Sequence, residues 1–403
     1  MTDDDRAVRI LRTMPDDPPL PSTVDVERTM AEGRRRRRVR RWSGGVALVA
    51  VTAVAAGGGT VAASALRDTP AAPVKPVTVP SKKAPAKVAP VVPKDCKVTL
   101  LPSGEVKKAL VTAGDPTGRY HAGRVYPRPG GVHTVVWKDG ELLPVPNMPG
   151  SDAGFRDINS SGIAVGYSYV GDEERAYALA GGTVRRLAGG RAVAGAINDR
   201  GVIAGTLGGA FDGGTPVIWK SYRAEPTRLA LPSGITRGSA AAIGEDGTVI
   251  GAIYRNTRDE GIPYLWRPDG IGRKLAVPKG ATGFWVSSIS NGWLYGSAVH
   301  DAPDGSMRSF TSYRYSIAAN RYEKLAVQLS NDALGAENGW VLSTIADPVI
   351  LAGKRIVKLP RYNKMKEYQV TAFSADGKTA AGYTTDSTDN EVVANRPLKW
   401  TCR

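Results

Sequence analysis

The segment INDRGVIAG, residues 197 to 205, decides the fold of this chain. Its Asn-x-x-Gly centre predicts a tight turn, because Asn and Gly accept the left-handed backbone angles that short hairpins require. Apolar residues on both sides predict two short strands, the second of which closes on Gly205. The segment therefore predicts one β-hairpin.

Six other segments repeat this pattern, at intervals of about 39 to 47 residues, which is the length of a propeller blade. Each is followed by a polar loop and a strand ending in an aromatic residue or its substitute, and in all but the last repeat a tight turn then leads to a fourth strand. Four strands per repeat predict an all-β, seven-bladed β-propeller. The six segments are GDPTGRYHAG (114–123), INSSGIAVG (158–166), IGEDGTVIG (243–251), ISNGWLYG (289–296), ENGWVLS (337–343) and FSADGKTAAG (373–382).

The two ends of the repeat array predict a ring closed by N- and C-terminal strands. The last repeat stops after its third strand, PLKWTC, whereas CKVTLLP at residues 96–102 has the form of a fourth strand. Together they would complete one blade and leave no sheet edge exposed. Cys96 and Cys402, the two cysteines of the chain, flank this seam and predict a disulfide made in an oxidising compartment. The alternative is a pair of free, buried thiols.

One transmembrane helix is predicted before the propeller, over residues 43–66. This uncharged run is long enough to cross about 30 Å of hydrocarbon. The Arg-rich sequence RRRRRVRR before it indicates that the N-terminus lies in the cytoplasm. We expect a single-pass protein of the cell membrane with an extracellular propeller. The alternative is secretion after signal cleavage near Ala65, because Ala63-Ser64-Ala65 has the small-residue pattern of a cleavage site.

The chain therefore divides into four predicted parts: an Arg-rich cytoplasmic leader (1–42), the membrane helix (43–66), a Pro- and Lys-rich extracellular linker (67–95) and the propeller (96–403). The spaced prolines of the linker favour extended polyproline conformations, which suit a stalk. The leader contains short helical patterns and no His or Cys. It is either a docking segment for a cytoplasmic partner or a mostly disordered tail.

The repeat resembles bacterial extracellular proteins with xINxxGxVVG phrases, the HAF-type group, and more loosely the WD40-like propellers. The resemblance covers most of residues 96–403 and implies a secreted or membrane-anchored propeller, without implying an activity. Two repeats depart from the pattern. The second lacks the Trp of the third strand, and the sixth has lost the Asn-x-x-Gly spacing.

Alternate connections of an up-and-down blade lie on opposite faces, so the sequence also predicts which loops share a face. The tight turns contain many Lys and Arg residues, so the face that carries them should be basic. Cys96 connects this face to the linker, so we expect it to lie near an anionic envelope polymer. The opposite face gathers longer loops with acidic residues, and we expect binding there because loops on a rigid scaffold commonly carry function. The candidate binding residues are Asp172, Glu173, Asp212, Asp259, Glu260, Asp301, Asp304 and Asp389.

Catalytic and metal chemistry have little support in the sequence. The three histidines, His121, His133 and His300, are scattered and are expected to be surface or packing residues. No nucleophile elbow, phosphate loop or calcium loop is present. The net charge is +16, but no basic run is interleaved with aromatics, which argues against nucleic-acid binding. We predict no enzyme activity, no cofactor and no metal.

The sequence thus favours a monomeric, membrane-anchored extracellular propeller that acts as a binding or scaffold module for a protein or a cell-wall glycan. A transmembrane sensor that signals through the cytoplasmic leader is the alternative, and a carbohydrate-active enzyme is a third hypothesis. Paired carboxylates such as Asp259 and Glu260 do not by themselves support the enzyme, since adjacent residues do not set the separation that glycoside cleavage requires.

Overall fold

The computed structural model describes residues 91–403, apart from residues 128–129, 209–212, 256–260, 302–307, 326–332, 344–346 and 386–394. The leader, the predicted membrane helix and the linker up to residue 90 lie outside the described residues, so their assignments stay predictions. Over the described ranges the chain forms strands and turns, and no helix there is long and apolar enough to cross a membrane.

The described strands form seven four-stranded antiparallel sheets, one for each repeat of the sequence. The first strands of successive sheets contact one another around a complete ring, so they are the innermost strands. The predicted seven-bladed propeller is confirmed. Blades 1 to 3 comprise β2 (Ala109–Gly114), β3 (Tyr120–Val125), β4 (His133–Lys138) and β5 (Glu141–Leu143); β6 (Ser151–Ile158), β7 (Ala164–Val170), β8 (Glu173–Ala180) and β9 (Thr183–Arg186); β10 (Ala192–Ile197), β11 (Ile203–Leu207), β12 (Thr215–Trp219) and β13 (Pro226–Arg228).

Blades 4 to 6 repeat the same meander, and blade 7 contains strands from both ends of the propeller domain. The first three strands of blade 6 are the shortest described at their positions, consistent with the altered turn spacing of its repeat. These blades comprise β14 (Arg237–Ile243), β15 (Val249–Tyr254), β16 (Ile262–Trp266) and β17 (Gly272–Lys274); β18 (Gly283–Ser290), β19 (Trp293–Asp301), β20 (Arg308–Ser316) and β21 (Arg321–Lys324); β22 (Leu334–Gly335), β23 (Val341–Ser343), β24 (Val349–Ala352) and β25 (Arg355–Lys358); β26 (Tyr368–Phe373), β27 (Thr379–Thr384), β28 (Pro397–Cys402) and β1 (Cys96–Leu100).

Blade 7 closes the ring by pairing the first strand of the domain with the last. Strand β1 runs antiparallel to β28, and the register places Cys96 opposite Cys402 and Leu100 opposite Leu398. The two cysteines form a disulfide that joins positions 306 residues apart in sequence. Both the predicted closure by terminal strands and the predicted disulfide are confirmed.

The tryptophan near the end of the third strand anchors four of the blades to the connection that precedes them. Each of these indoles is fully buried, and its Nε1–H donates to a backbone carbonyl just beyond the fourth strand of the previous blade. A buried indole requires such an acceptor. The four pairs are Trp137 with Pro102 (2.6 Å), Trp219 with Ala188 (2.9 Å), Trp266 with Ala230 (2.7 Å) and Trp400 with Pro360 (2.8 Å).

Blade 5 replaces this tryptophan with Tyr315 and supplies the hydrogen bond from another strand. The hydroxyl of Tyr322, on β21, donates to the carbonyl of Ala276 (2.6 Å), which lies just beyond the fourth strand of blade 4. The rings of Tyr315 and Tyr322 pack together with centroids 4.8 Å apart. Two tyrosines therefore take over the packing and the hydrogen bond of one tryptophan.

Six of the seven repeats close on a glycine that faces a β-bulge, and the repeat of blade 6 closes on Ser343 instead. In blade 3, Gly205 pairs with Ala194 at the position where the register of β10 shifts, and a Cβ on Gly205 would lie 2.2 Å from the carbonyl oxygen of Val193. Any side chain would clash there, so glycine is required. Equivalent glycines, at 123, 166, 251, 296 and 382, also face bulged first strands.

Asparagine side chains in the first turn of several blades link that turn to the next blade. Their Nδ2 atoms donate to backbone carbonyls of the neighbouring turn, which joins blade 2 to blade 3, blade 3 to blade 4, blade 5 to blade 6 and blade 6 to blade 7. The turn residues are thus structural, as the sequence indicated. The pairs are Asn159 with Asn198 (3.1 Å), Asn198 with Gly244 (3.2 Å), Asn291 with Glu337 (2.7 Å) and Asn338 with Asp376 (2.7 Å).

Candidate functional site on the loop face

The topology gives the propeller two faces. The turn face carries the connections from first to second and from third to fourth strands, and the loop face carries the connections from second to third strands and between blades. The chain enters on the turn face, because Cys402 N donates to the carbonyl of Lys378 (2.8 Å) in a first turn and Lys94 N donates to the carbonyl of Arg403 (3.0 Å). The loop face therefore lies opposite the point at which the linker arrives.

The turn face carries charges of both signs. The predicted basic residues are Arg119, Lys138, Arg185, Arg200, Lys220, Arg223, Arg267, Arg273, Lys354, Arg355 and Lys378. The same connections also hold carboxylates, which the prediction of a basic face left out: Asp115, Asp139, Asp199, Glu245, Asp246, Asp269, Glu337 and Asp376. Some of these charges pair directly, as in the exposed bridge between Arg119 and Asp139 (3.0 Å). Exposed pairs of this kind contribute little to stability.

Three of the eight candidate acidic residues are described, and they do not converge on one site. Asp172 lies in a tight turn of blade 2, between the ends of β7 and β8, where the sequence had predicted a longer loop. Glu173 begins β8 and forms an exposed ion pair with Arg175. Asp301 ends β19 in blade 5. The other five candidates, Asp212, Asp259, Glu260, Asp304 and Asp389, lie outside the described residues.

A group of charged and aromatic side chains, absent from the predicted set, lies between blades 1 and 2. We call it the cationic cluster, and its centre is Arg124 on β3. This residue is 3% exposed, although an arginine is rarely buried without a specific partner. Its Nη1 forms an ion pair with Oδ1 of Asp152 (3.2 Å), at the loop-face end of β6. The other members are Lys108, Tyr126, Arg156 and Tyr167.

The backbone at Asp152 is strained in a way that brings its carboxylate to Arg124. The φ angle of Asp152 is +48°, in the left-handed region that side chains other than glycine rarely occupy. The residue lies in an irregular stretch of β6, where the register with β7 shifts between Ser151 and Gly154. Such strain is found preferentially at functional sites. Burial raises the pKa of the Asp152 carboxyl, and Arg124 partly offsets this rise.

Two tyrosines hold the cations of the cluster in place. The Lys108 ammonium lies 4.5 Å from the ring centroid of Tyr126, and the Arg124 guanidinium lies 5.4 Å from the same ring. The Arg156 guanidinium lies 4.7 Å from the ring centroid of Tyr167. Contacts between cations and aromatic faces are attractive and fix the position of the charge. Arg124 and Arg156 thus lie near one partly buried carboxylate, Asp152, and Lys108 lies on the ring of Tyr126 beside Arg124.

A buried hydroxyl without a partner lies beside Arg124. Thr134 on β4 is the residue directly opposite Arg124 in the register, so both side chains point to the same side of the sheet. Thr134 is 2% exposed, and its Oγ1 has no hydrogen-bond partner. An unpaired buried hydroxyl costs free energy, typically about 1 to 3 kcal/mol. The cluster therefore offers both positive charge and an unused hydrogen-bonding atom.

The cationic cluster has the chemistry of an anion-binding site. An arginine fork and a neighbouring ammonium suit carboxylate or phosphate groups. In the part of the chain that the structure describes, no group of three or more His, Cys, Asp or Glu side chains is arranged to hold a metal ion. One sequence signal could have indicated the cluster, namely a charged residue, Arg124, within the otherwise uncharged and largely apolar strand YHAGRV.

Comparison with known proteins yields no family name. No family model matches the chain, and no curated protein matches it. Among solved structures it is similar to a prolyl endopeptidase (15% identity, TM-score 0.48), of which it covers 47% with 70% of its own length. It thus spans about half the length of that protein.

Two further solved structures are similar at comparable levels. One is the β-propeller domain of the Trilobed protease from Pyrococcus furiosus (13% identity, TM-score 0.48; 73% of this chain and 95% of that chain). The other is a putative TolB from Agrobacterium tumefaciens (14% identity, TM-score 0.39; 65% and 94%). What the sheets of this chain establish is its fold, a seven-bladed β-propeller whose ring is closed by a disulfide-linked pair of terminal strands.

Proposed function

We propose that this protein is a membrane-anchored, extracellular binding module that holds an acidic cell-wall glycan on its loop face. The observation that carries the proposal is the cationic cluster, in which a buried Arg124 and two further cations are fixed beside an unpaired hydroxyl. A polysaccharide that bears carboxylate or phosphate groups matches this chemistry, because such groups accept hydrogen bonds from arginine and lysine.

A glycan suits this face better than a folded protein partner. The large apolar side chains exposed on the described surface are Val91, Leu100, Val170, Ile271, Val277 and Ile356. They are scattered through the sequence and over different blades, and they form no contiguous apolar patch of the kind that marks protein interfaces. The cationic cluster, in contrast, is polar and compact. The proposal therefore assigns to it an anionic, hydroxyl-rich ligand.

The binding proposal is tested by removing one charge from the cluster and one from its neighbourhood. We expect Arg156→Gln to weaken the affinity of the purified full-length chain for an acidic polysaccharide by about tenfold, as the loss of one charge-assisted hydrogen bond implies. Lys108→Gln should act in the same direction. The matched control is Lys107→Gln, which removes the same charge from the adjacent exposed position.

Affinities are measured by titration calorimetry with one polymer that carries carboxylates and one that carries phosphates, at two salt concentrations. Binding of either polymer supports the proposal and identifies the acid group, and the affinity should fall as salt rises. Equal losses in the Lys107→Gln and Arg156→Gln variants would indicate a general charge effect and refute a specific site.

The membrane assignment is tested separately in whole cells that express the full chain. We expect protease added outside to degrade the propeller while the leader stays protected, because the arginines before residue 43 retain the N-terminus in the cytoplasm. The chain should remain in the membrane fraction at full length. A shortened chain in the medium would support cleavage near Ala65, and a propeller protected in intact cells would contradict the extracellular placement.

A further inference from the structure

A second group of side chains on the loop face lies in blade 5, and its chemistry differs from that of the cationic cluster. We call it the aromatic cluster, and it is built around Trp285 on β18 and Phe310 on β20. Both rings are partly exposed, with centroids 5.0 Å apart. The Arg308 guanidinium lies 5.7 Å from the Trp285 ring centroid. Blade 5 therefore presents an aromatic platform with a cation at its edge.

A network of hydrogen bonds holds the edge of this platform. Asp301 Oδ1 accepts from Nε of Arg308 (2.6 Å), and its Oδ2 accepts from Oγ1 of Thr282 (2.8 Å). Thr282 belongs to the connection from blade 4, so three separate segments meet at this carboxylate. The bond from Arg308 lowers the pKa of Asp301, which therefore stays ionised at neutral pH. The positive and negative charges of the pair cancel.

Two buried hydroxyls without partners lie on the same side of the same sheet. Ser297 is directly opposite Trp285 in the register, and Tyr295 lies two residues before it, so all three point to one side. Ser297 and Tyr295 are both fully buried, and neither Ser297 Oγ nor Tyr295 OH has a hydrogen-bond partner. This side of blade 5 packs against blade 6, because Tyr295 contacts a cluster that includes Val341 and Leu351.

Unpaired buried hydroxyls are uncommon in proteins, and each requires a reason such as a bound ligand or water. Here they occur next to partly exposed aromatic rings and a neutral Arg–Asp pair. A pyranose ring has an apolar face that can pack on an aromatic side chain, and hydroxyl groups that both donate and accept hydrogen bonds. The absence of net charge favours an uncharged sugar over an acidic one.

We propose that the aromatic cluster, between blades 5 and 6, is a second binding site that takes an uncharged pyranose sugar. Trp285 and Phe310 pack on the sugar ring, Arg308 and Asp301 bind its exposed hydroxyls, and Ser297 with Tyr295 bind a hydroxyl that points into the interface. The site is independent of the cationic cluster, since it uses other blades and other chemistry.

The test uses the purified full-length chain in a detergent without a sugar head group, because a glycosidic detergent would compete for the site. The chain is applied to an array of uncharged oligosaccharides built from glucose, galactose, mannose and N-acetylglucosamine. Affinities for the ligand that binds best are then measured by calorimetry. We expect Trp285→Ala to weaken binding by about tenfold or more, a loss typical of an aromatic anchor at a binding site.

The matched control is Trp293→Ala, which removes the other partly buried tryptophan of blade 5, at the turn-face end of β19. It should leave the affinity unchanged. Ser297→Ala distinguishes a ligand contact from a structural role, because the removal of an unpaired hydroxyl does not destabilise the fold. We expect this variant to melt at or above the wild-type temperature and to bind the sugar roughly threefold to tenfold more weakly.

Three outcomes would overturn the proposal. The first is that the wild-type chain binds none of the uncharged oligosaccharides. The second is that the Trp285→Ala and Trp293→Ala variants bind the sugar equally well. The third is that Ser297→Ala leaves the affinity unchanged, which would show that the buried hydroxyls bind only water. Loss of binding to acidic polymers in the Arg156→Gln variant has no bearing on these results. The proposal for the cationic cluster and the proposal for the aromatic cluster can therefore be refuted independently.

Discussion

Replacing Cys96 and Cys402 with serine lowers the free energy of unfolding by about 6 kcal/mol, the value that the chain-entropy model gives for a disulfide closing a loop of this length. The bridge joins residues 306 positions apart, so its loss frees nearly the whole domain in the unfolded state. The remaining connection is the pairing of β1 with β28. Strand β1 is the outermost strand of blade 7 and is largely exposed, so it contributes little burial.

The measurement is denaturant unfolding of the oxidised wild-type chain and the double-serine variant, followed by tryptophan fluorescence. Amide exchange should also show loss of protection in β1 before the other strands, because the ring opens at its seam. The control is Thr99→Ala on the same strand, which keeps the disulfide and should change the free energy by less than about 0.5 kcal/mol. Equal unfolding midpoints for wild type and the double-serine variant would show that strand pairing alone closes the ring.

Replacing His121 with leucine stabilises the propeller, and the gain grows as the pH falls. His121 is 1% exposed on β3, opposite Trp137, and its Nδ1 has no hydrogen-bond partner. In blades 3 and 4 the corresponding residue is aliphatic, Ile203 or Val249. Burial and, to a smaller extent, the nearby Lys399 together lower the pKa of His121 to about 3. The native protein therefore holds this imidazole neutral.

The sign of the pH effect follows from this pKa. Below about pH 6.5 the unfolded chain binds a proton at His121 that the folded chain does not bind until about pH 3, so stability is lost as the pH falls through that window. At roughly 1.4 kcal/mol per pKa unit, His121→Leu should gain about 3 kcal/mol over wild type near pH 4, beyond any gain at neutral pH.

Unfolding free energies of both chains between about pH 4 and 7.5 provide the check, since their difference isolates this group. Other buried groups cancel in that difference, including Asp157, whose pKa burial raises to about 7 and which destabilises the fold as the pH rises. The control is the same substitution at the exposed His133. A gain that did not vary with pH would mean that His121 binds its proton as readily in the folded protein as in the unfolded chain.

The binding chemistry of the loop face could be predicted from the sequence only in part. Acidic residues of the loops were the expected site, yet Asp172 and Glu173 occupy a tight hairpin, and of the described candidates only Asp301 joins a cluster of aromatic and polar residues. Trp285 was missed because it lies within a strand, where an aromatic residue is indistinguishable from one that packs in the core. The charge of Arg124 within an apolar strand was a signal, but it did not indicate which residues surround it. The residues that contact Arg124 and Trp285 come from other strands or blades, and the spacing of residues in the sequence does not predict those contacts.

The sequence by itself determined the number of blades, the closure of the ring and the disulfide, because each depends on local turn chemistry or on the order of segments along the chain. Only the tertiary structure decided why six of the repeats close on glycine, which carbonyls accept from the buried tryptophans, and which side chains meet between blades. Those features depend on β-bulges and on contacts between neighbouring sheets. The hairpin pattern of one repeat does not predict which side chains of the next blade will pack against it.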